Sequence, residues 1–344
     1  MRTSKQLLID SRPYAHEHRA TSWWCLLSTL AIFAGLEYFA VTDWPWPIRV
    51  AASIAAGLVM IRLFILYHDF EHGTILKRSP VAWAIMKFYG LLILNPPSIW
   101  RRSHNHHHKH NAKLFGASIG SFPVMTTTAY AAATRGQRFE YAVSRHPLTL
   151  AAGYVTVFLY GMCIRSLIAN WRMHFDSAVS IVLHVGLAVV LGFIGWDVLV
   201  FGLLLPSTIS AAMGAYLFYA QHNFPEVDLM PSGKWDYVSA AMKSSSYIEM
   251  GRFWAWVTGN IGYHHVHHLN HHIPFYRLPE AMAGLEELQT PRRTSLWPRD
   301  IAACLRLKVW DVEQGKLTPF PRTPAPAPRD RSAPAGSLAS STQD

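Results

Sequence analysis

Residues 51–72 read AASIAAGLVMIRLFILYHDFEH, an apolar run that ends in two histidines four positions apart, His68 and His72. The apolar part covers about residues 48–66, which is long enough for an α-helix to cross a bilayer. Side chains at i and i+4 share one face of a helix, so both imidazoles can point at the same place. Because imidazole is the commonest protein metal ligand, the stretch predicts a membrane helix that carries metal ligands to the membrane surface.

Two further clusters repeat this spacing: residues 104–108 read HNHHH and residues 264–268 read HHVHH. Each holds histidines at i, i+3 and i+4, and each lies beside or just past an apolar segment. An isolated histidine run could equally be a surface patch that scavenges metal or contacts RNA. Three such runs in one apolar chain favour a single polynuclear metal site at a membrane surface.

The composition is that of a membrane protein. Of 344 residues, 51% are hydrophobic and only 15% are charged, against about 25% charged residues in soluble domains. Cys25, Cys163 and Cys304 are far apart and form no CxxC pair, which excludes a disulfide framework and a thiolate metal site. The net charge of +10 comes from basic residues between hydrophobic segments. That pattern fits loops beside anionic lipid and predicts no nucleic-acid partner.

Four apolar stretches predict two transmembrane hairpins, 23–41 with 48–66 and 178–195 with 198–219. The connections at 42–47 and 195–197 contain no Lys or Arg, which places them on the outer side. A further stretch at 81–95 is short and runs into Asn-Pro-Pro, so we expect a re-entrant or in-plane helix. Arg62 and Glu37 lie near span ends, where an ordinary interfacial position accounts for both.

The stretch 148–168 is long enough to span, but parity argues against a crossing. If the clusters form one site, they lie on one side of the bilayer, and the hairpin 178–219 already supplies an even number of crossings. Arginines flank the stretch on both sides, which places both of its ends in the cytoplasm: Arg135, Arg138, Arg145, Arg165 and Arg172. We therefore predict an all-α integral membrane protein with four transmembrane helices, in-plane helices and a cytoplasmic cap that contains the histidines.

This topology divides the chain into three parts. Residues 1–22 are expected to form a cytoplasmic N-terminal leader rather than a cleaved signal peptide, because they hold charged residues and no cleavage site. Residues 23–310 form the membrane domain. Residues 311–344 are rich in Pro, Ser and Ala and are predicted to be a disordered tail.

The chain resembles the membrane-bound fatty acid desaturase superfamily over about residues 20–310, in the manner of bacterial acyl-lipid enzymes of the Δ12 or ω type. The histidine clusters match that family's boxes HxxxH, HxxHH and HxxHH. Their contexts also match, at Trp100–Ser103 before the second box and Gly259–Tyr263 before the third. The LNHHIPFYRLP segment at 269–279 and the YAQH segment at 219–222 complete the resemblance.

The resemblance implies a non-haem centre of two iron ions with nine histidine ligands: His68, His72, His104, His107, His108, His222, His264, His267 and His268. Five other histidines have no place in the boxes and are expected beside the ligands or on the surface: His106, His110, His265, His271 and His272. Zinc has no redox chemistry and needs only four ligands, which also favours iron. Asp69 and Glu71 either orient ligand rings or are simply solvated.

The implied function is oxygen-dependent desaturation of a fatty acyl chain, with O2 as co-substrate and a cis double bond as product. The acyl chain would belong to a membrane lipid or an acyl thioester. Related di-iron hydroxylases and ketolases of fatty acids, carotenoids or alkanes are the nearest alternative. A non-catalytic metal sensor or transporter is disfavoured, because transporter ligands lie near the bilayer midplane and these clusters lie at span ends.

Electrons must come from a separate donor, because the chain has no flavin or nicotinamide fingerprint and no room for a fused cytochrome b5 domain. A ferredoxin, a flavodoxin or a cytochrome b5 would serve. Basic residues around the second box either receive an acidic donor or contact lipid phosphates: Arg101, Arg102, Lys109 and Lys113. The bacterial resemblance implies the inner membrane, with the termini and histidine boxes on the cytoplasmic side.

Overall fold

The computed structural model describes residues 2–114 and 121–321 of the chain. Its helices are α1 (Ser4–Asp10), α2 (Arg19–Val41), α3 (Trp46–Glu71), α4 (Pro80–Leu92), α5 (Pro97–His110), α6 (Thr127–Ala132), α7 (Arg135–Ser144), α8 (Pro147–Ala151), α9 (Arg165–Ala169), α10 (Phe175–Ile194), α11 (Trp196–Leu199), α12 (Leu205–Ala220), α13 (Tyr237–Ser244), α14 (Arg252–Val257), α15 (His264–Leu269), α16 (Leu278–Gly284) and α17 (Pro298–Arg306). The strands are β1 (Met125–Thr126), β2 (Tyr247–Glu249), β3 (Arg293–Ser295), β4 (Val309–Asp311) and β5 (Lys316–Thr318). Wider π-helical turns cover Tyr154–Ile164 and Val200–Leu204, and 3₁₀ turns cover Arg12–Ala15, Ser232–Lys234, Phe275–Arg277 and Glu286–Gln289.

Four helices are long and apolar enough to cross a membrane: α2, α3, α10 and the continuous helix Trp196–Ala220, which joins α11 to α12. This confirms the predicted all-α membrane fold with four spans. The central helix is α3, which packs against both α2 and α12. Small residues permit that close packing, since a Cβ added at Gly57 would lie only 2.8 Å from the carbonyl oxygen of Pro206.

Helix α4 has 13 residues and ends against α10 instead of crossing. The last carbonyls of a helix have no partner within it, and lipid offers none. Here the Ser180 hydroxyl donates to the Leu91 carbonyl at 2.5 Å, and His184 Nδ1 donates to the Leu92 carbonyl at 2.6 Å. Both donors belong to the first half of α10, so α4 ends partway into the apolar layer, as a re-entrant helix does.

The apolar stretch around Tyr154–Ile164 also enters the apolar layer and returns. The Tyr154 hydroxyl bonds His184 Nε2, whereas the Cys163 thiol lies 4.0 Å from the Ser180 hydroxyl, one turn nearer the start of α10. The chain between these two contacts therefore runs back toward the surface from which α10 begins. This course agrees with the prediction, from parity and flanking arginines, that the stretch does not cross.

Arg62 does not lie at the interface as expected. Its side chain is buried, with Nε donating to Thr29 Oγ1 at 3.2 Å and Nη1 donating to the Trp256 carbonyl at 2.5 Å. Its guanidinium also stacks 4.6 Å from the Trp256 ring. Arg62 thus joins α2 and α3 to the segment before the third histidine box, and the prediction of snorkelling was wrong because the cap covers this end of α3.

The cap is formed by α5, α13–α17 and two small sheets, in which β1 pairs parallel to β4, β4 antiparallel to β5, and β2 parallel to β3. The predicted start of the tail at residue 311 was wrong, because β4 and β5 form a hairpin that continues past this residue. Trp310 and Leu317 pair across it and are both buried, so apolar burial holds the chain in place through Thr318. The remainder of the predicted tail, from residue 322, lies outside the described residues.

Candidate metal centre

The nine histidines predicted as ligands come together at the C-terminal ends of α3 and α12. Each offers a ring nitrogen to one of two groups, and within each group these atoms lie within 4.8 Å of one another. The five-histidine group contains His68, His72, His104, His108 and His267. The four-histidine group contains His107, His222, His264 and His268.

The second and third boxes contribute to both groups, in opposite ways. In α5 the i, i+4 pair His104 and His108 joins the five-histidine group, while His107 joins the other. In α15 the i, i+4 pair His264 and His268 joins the four-histidine group, while His267 joins the five-histidine group. A residue at i+3 points about 100° away from one at i+4, so one helix can serve two neighbouring sites.

The contacts among these nitrogens are too numerous for hydrogen bonds alone. A neutral imidazole nitrogen carries either one hydrogen or one lone pair, so it can pair with only one other nitrogen. Four of the nitrogens have two such neighbours each. The Nε2–Nε2 distances are 3.0 Å for His68–His104, 3.0 Å for His104–His108, 3.1 Å for His108–His267, 3.2 Å for His107–His268, 3.0 Å for His107–His222 and 2.9 Å for His222–His264.

These spacings fit ligands of a shared metal ion. Imidazole nitrogens lie about 2.0–2.1 Å from a bound metal, so two ligands at right angles are about 3.0 Å apart. Tetrahedral ligands at the same bond length would be about 3.4 Å apart. The spacing therefore fits metal ligation, and nine imidazoles exceed the four ligands of a tetrahedral zinc ion.

Burial favours the neutral form of most of these imidazoles, which is the form that binds metal. Desolvation lowers the pKa of seven of the histidines well below the usual value, and the neighbouring histidines lower it further: His72, His104, His107, His108, His264, His267 and His268. Burial lowers the pKa of His222 to about 4, against the opposing effect of a hydrogen bond to Ser244.

Hydrogen bonds at the far side of two rings fix which nitrogen faces the centre. The fully buried carboxylate of Asp69 accepts from His68 Nδ1 at 3.0 Å and from the backbone N–H of Phe275 at 2.7 Å. His222 Nδ1 donates to the Ser244 carbonyl at 2.9 Å. Such bonds orient metal-binding rings and leave the Nε2 lone pair free. Of the two alternatives left open for Asp69, the structure therefore supports ring orientation.

Comparisons with known proteins agree with this geometry. The family model described as Fatty acid desaturase matches residues 44–299, which include all three histidine boxes and His222. The chain belongs to the fatty acid desaturase family. It is accordingly a membrane oxidoreductase of lipid metabolism, as the sequence resemblance implied.

Relatives cover most of this desaturase. A fatty acid desaturase of Bacillus subtilis (strain 168) is 30% identical over 322 residues, which is 92% of this chain and 90% of the relative. An sn-1 oleoyl-lipid 12-desaturase of Anabaena variabilis is 21% identical, covering 79% of this chain and 78% of the relative. A chloroplastic omega-6 fatty acid desaturase of Glycine max is 24% identical, covering 77% and 62%.

Several histidines of the desaturase lie outside the two groups, as expected. His265 is buried, and its Nε2 donates to the Leu288 carbonyl at 3.1 Å. The rings of His106 and His110 stack on each other with centroids 4.0 Å apart, on the face of α5 opposite His104, His107 and His108. Glu71, which the sequence placed beside the first box, pairs with Arg101 at 2.8 Å and orients no ligand ring.

His271 lies closer to the metal centre than its place outside the boxes suggested. Its ring centroid is 4.9 Å from that of His72 and 5.0 Å from that of His108. The continuation of the i+3, i+4 stripe beyond His268 was the signal for this position. His272, the next residue along that stripe, is exposed.

A cavity of about 220 Å³ adjoins the four-histidine group. His107 and His222 form part of its wall, and the Phe218 ring in that wall lies 5.3 Å from the His107 ring. Part of the remaining wall is apolar: Leu114, Phe122, Pro123, Val124 and Leu229. The rest is polar and includes Asn111, Lys113, Arg145 and Asn223. Among the described residues, no carboxylate lines it. Such a cavity suits an alkyl chain placed against the metal-binding histidines.

Proposed function

We propose that this protein is an oxygen-dependent acyl-lipid desaturase that introduces a cis double bond at a histidine-bound di-iron centre. The observation that carries the proposal is the pair of histidine groups, with a partly apolar cavity against one of them. The name of the Anabaena variabilis relative specifies an oleoyl lipid, which supports an acyl chain esterified in a membrane lipid as the substrate.

Iron fits the donor set best. Nine imidazoles exceed the needs of one ion, and the reaction requires a redox metal, which zinc is not. The ligands proposed for one ion are the five-histidine group and those for the other are the four-histidine group. When bound, the two irons supply the redox chemistry that activates dioxygen for removal of hydrogen from an unactivated methylene pair.

The chain's own residues position the reactants and exclude water. The apolar part of the cavity wall, including Phe218, holds the acyl chain against His107 and His222. Asp69 holds His68 in one orientation, so that part of the ligand set is organised before a metal binds. Positioning of this kind decides whether a second hydrogen is removed or a hydroxyl group is added.

The expectation that the product is an olefin rests on the resemblance to desaturases. Membranes containing the protein, supplied with reductant, dioxygen and an isotope-labelled acyl lipid, should yield a labelled chain that has lost two hydrogens, detected by mass spectrometry. Membranes without reductant serve as the control. A dominant hydroxy-acid product without a new double bond would instead assign the protein to the hydroxylase alternative.

We further propose that a separate ferredoxin, flavodoxin or cytochrome b5 delivers the electrons. Arg102 and Lys109 are exposed on α5 and are available to an acidic partner, whereas Arg101 is paired with Glu71. The same assay with each purified donor would identify the donor. Equal rates with all three, insensitive to salt, would contradict a charge-guided contact.

The histidine groups are proposed to face the cytoplasm at a bacterial inner membrane. Single cysteines at Asn170 and Ser144, in a background without the native cysteines, should react with a membrane-impermeant reagent in inverted vesicles and be protected in intact cells. A cysteine at exposed Asp43, in the hairpin turn between α2 and α3, should show the opposite pattern. Labelling of Asn170 from outside would mean that residues 148–168 cross the bilayer.

A further inference from the structure

His222 depends on external support for its position, because it lies just beyond the end of α12. It comes from none of the three boxes, yet its Nε2 contacts the Nε2 atoms of both His107 and His264. Its own backbone N–H makes only a turn-type bond to the Tyr219 carbonyl at 3.2 Å. Helix ends fray unless side chains or neighbouring segments hold them.

Arg145 holds the residues on both sides of His222. This arginine precedes α8 and is fully buried. Its Nη2 donates to the Tyr219 hydroxyl at 3.2 Å, three residues before His222, and to Asn223 Oδ1, one residue after it. Its Nη1 donates to the Pro123 carbonyl at 2.7 Å, which joins the cavity wall to the same guanidinium.

The segment after α17 completes this arrangement. The Tyr219 hydroxyl donates to the Leu307 carbonyl at 3.0 Å, and Asn223 Nδ2 donates to the Cys304 carbonyl at 2.7 Å. Lys308 Nζ donates to the carbonyl of Arg145 itself at 2.5 Å. Four segments distant in sequence thus meet at one guanidinium directly behind a metal-binding histidine.

The electrostatics argue against a general stabilising role for Arg145. Among the described residues, no carboxylate lies within 4.0 Å of its guanidinium, and its Nε is buried without a partner. A buried charge without a counter-charge costs free energy. Its rigid, planar set of donors, however, binds several acceptors in fixed directions, which lysine cannot do.

We propose that Arg145 is a positioning residue for the four-histidine group: by clamping Tyr219 and Asn223, it holds the His222 imidazole in register with His107, His264 and His268. The inference rests on the metal assignment made above. Loss of such support typically lowers metal affinity about 10–100-fold.

Metal retention tests the proposal. Iron-loaded Arg145→Gln and Arg145→Lys proteins in detergent are challenged with a chelator, and remaining iron and Tm are measured. We expect the affinity for one of the two irons to be about 10–100-fold lower than in the wild type, and the affinity for the other to be unchanged. Asn223→Ala should also weaken the binding of one iron. This variant replaces Arg145→Gln in the test if Arg145→Gln does not accumulate.

Arg49→Gln is the matched control. Arg49 is also a buried arginine, bonded to the Ala40 carbonyl at 2.9 Å and to Asp197 at 2.6 Å, but it lies at the opposite end of α3. This variant should lower Tm and keep both irons. In a His222→Ala background, Arg145→Gln should cause no further loss of iron, because the group that it positions is gone.

Three results would overturn the proposal: wild-type iron affinity in Arg145→Gln, iron loss that follows Tm as in Arg49→Gln, or additive loss with His222→Ala. If the wild type binds no iron, the metal assignment itself fails. The two failures are thereby distinguished.

Discussion

Replacing His107 with alanine is expected to abolish product formation. Its Nε2 lies 3.0 Å from that of His222 and 3.2 Å from that of His268, in the middle of the four-histidine group, and its ring also borders the cavity. Removing it takes a ligand from the centre and alters the wall that holds the acyl chain. The loss should exceed the roughly 10–100-fold that removing a hydrogen-bond partner of a metal ligand causes. Product per unit of membrane-inserted protein is the measurement.

Neighbouring histidines provide the controls. His106→Ala, one residue away on the outer side of α5, should keep wild-type activity and membrane insertion. His271→Ala is a stricter control, because its ring lies 4.9 Å from that of His72 but it belongs to neither group. If His271→Ala were as inactive as His107→Ala, the set of nine ligands would be wrong.

The resemblance to the family's boxes was sufficient to predict which histidines meet, and helix periodicity explains why those at i and i+4 lie on one face. It could not predict that His107 and His267 separate from their box partners. That division depends on how α5 and α15 are oriented toward each other, which is decided by packing among segments far apart in sequence.

Charged residues were the least predictable part of the site. Arg145 entered the sequence argument as one of several basic residues flanking an apolar stretch, and the same evidence applied to exposed Arg165. Only the fold shows Arg145 fully buried behind His222. Arg62 was likewise placed at the interface, because the sequence does not show that the segment carrying Trp256 folds back over it.

The hairpin at the end of the described chain illustrates a different limit. Residues 311–321 were predicted to be disordered because prolines and small residues follow closely. Two well-placed apolar residues, Trp310 and Leu317, are nevertheless enough to pair these strands and bury both side chains. Composition averaged over a tail conceals such short structured elements.

Removal of metal should abolish activity and lower stability together. A ligand that binds only the folded state stabilises it by about 4 kcal/mol when its free concentration is a thousandfold above Kd. Without metal, nine imidazoles, seven of them buried, also remain crowded with nitrogens facing one another. We expect chelation to lower Tm and eliminate product. Added ferrous iron should restore both, whereas zinc should restore stability without activity.

The central claim is that nine histidines hold two irons, and the metal content of active protein tests it most directly. Elemental analysis of detergent-purified, active wild-type protein is predicted to give close to two irons per chain. Arg49→Gln should match that value, because its change lies at the opposite end of α3. Active protein containing stoichiometric zinc, or no metal at all, would contradict the claim.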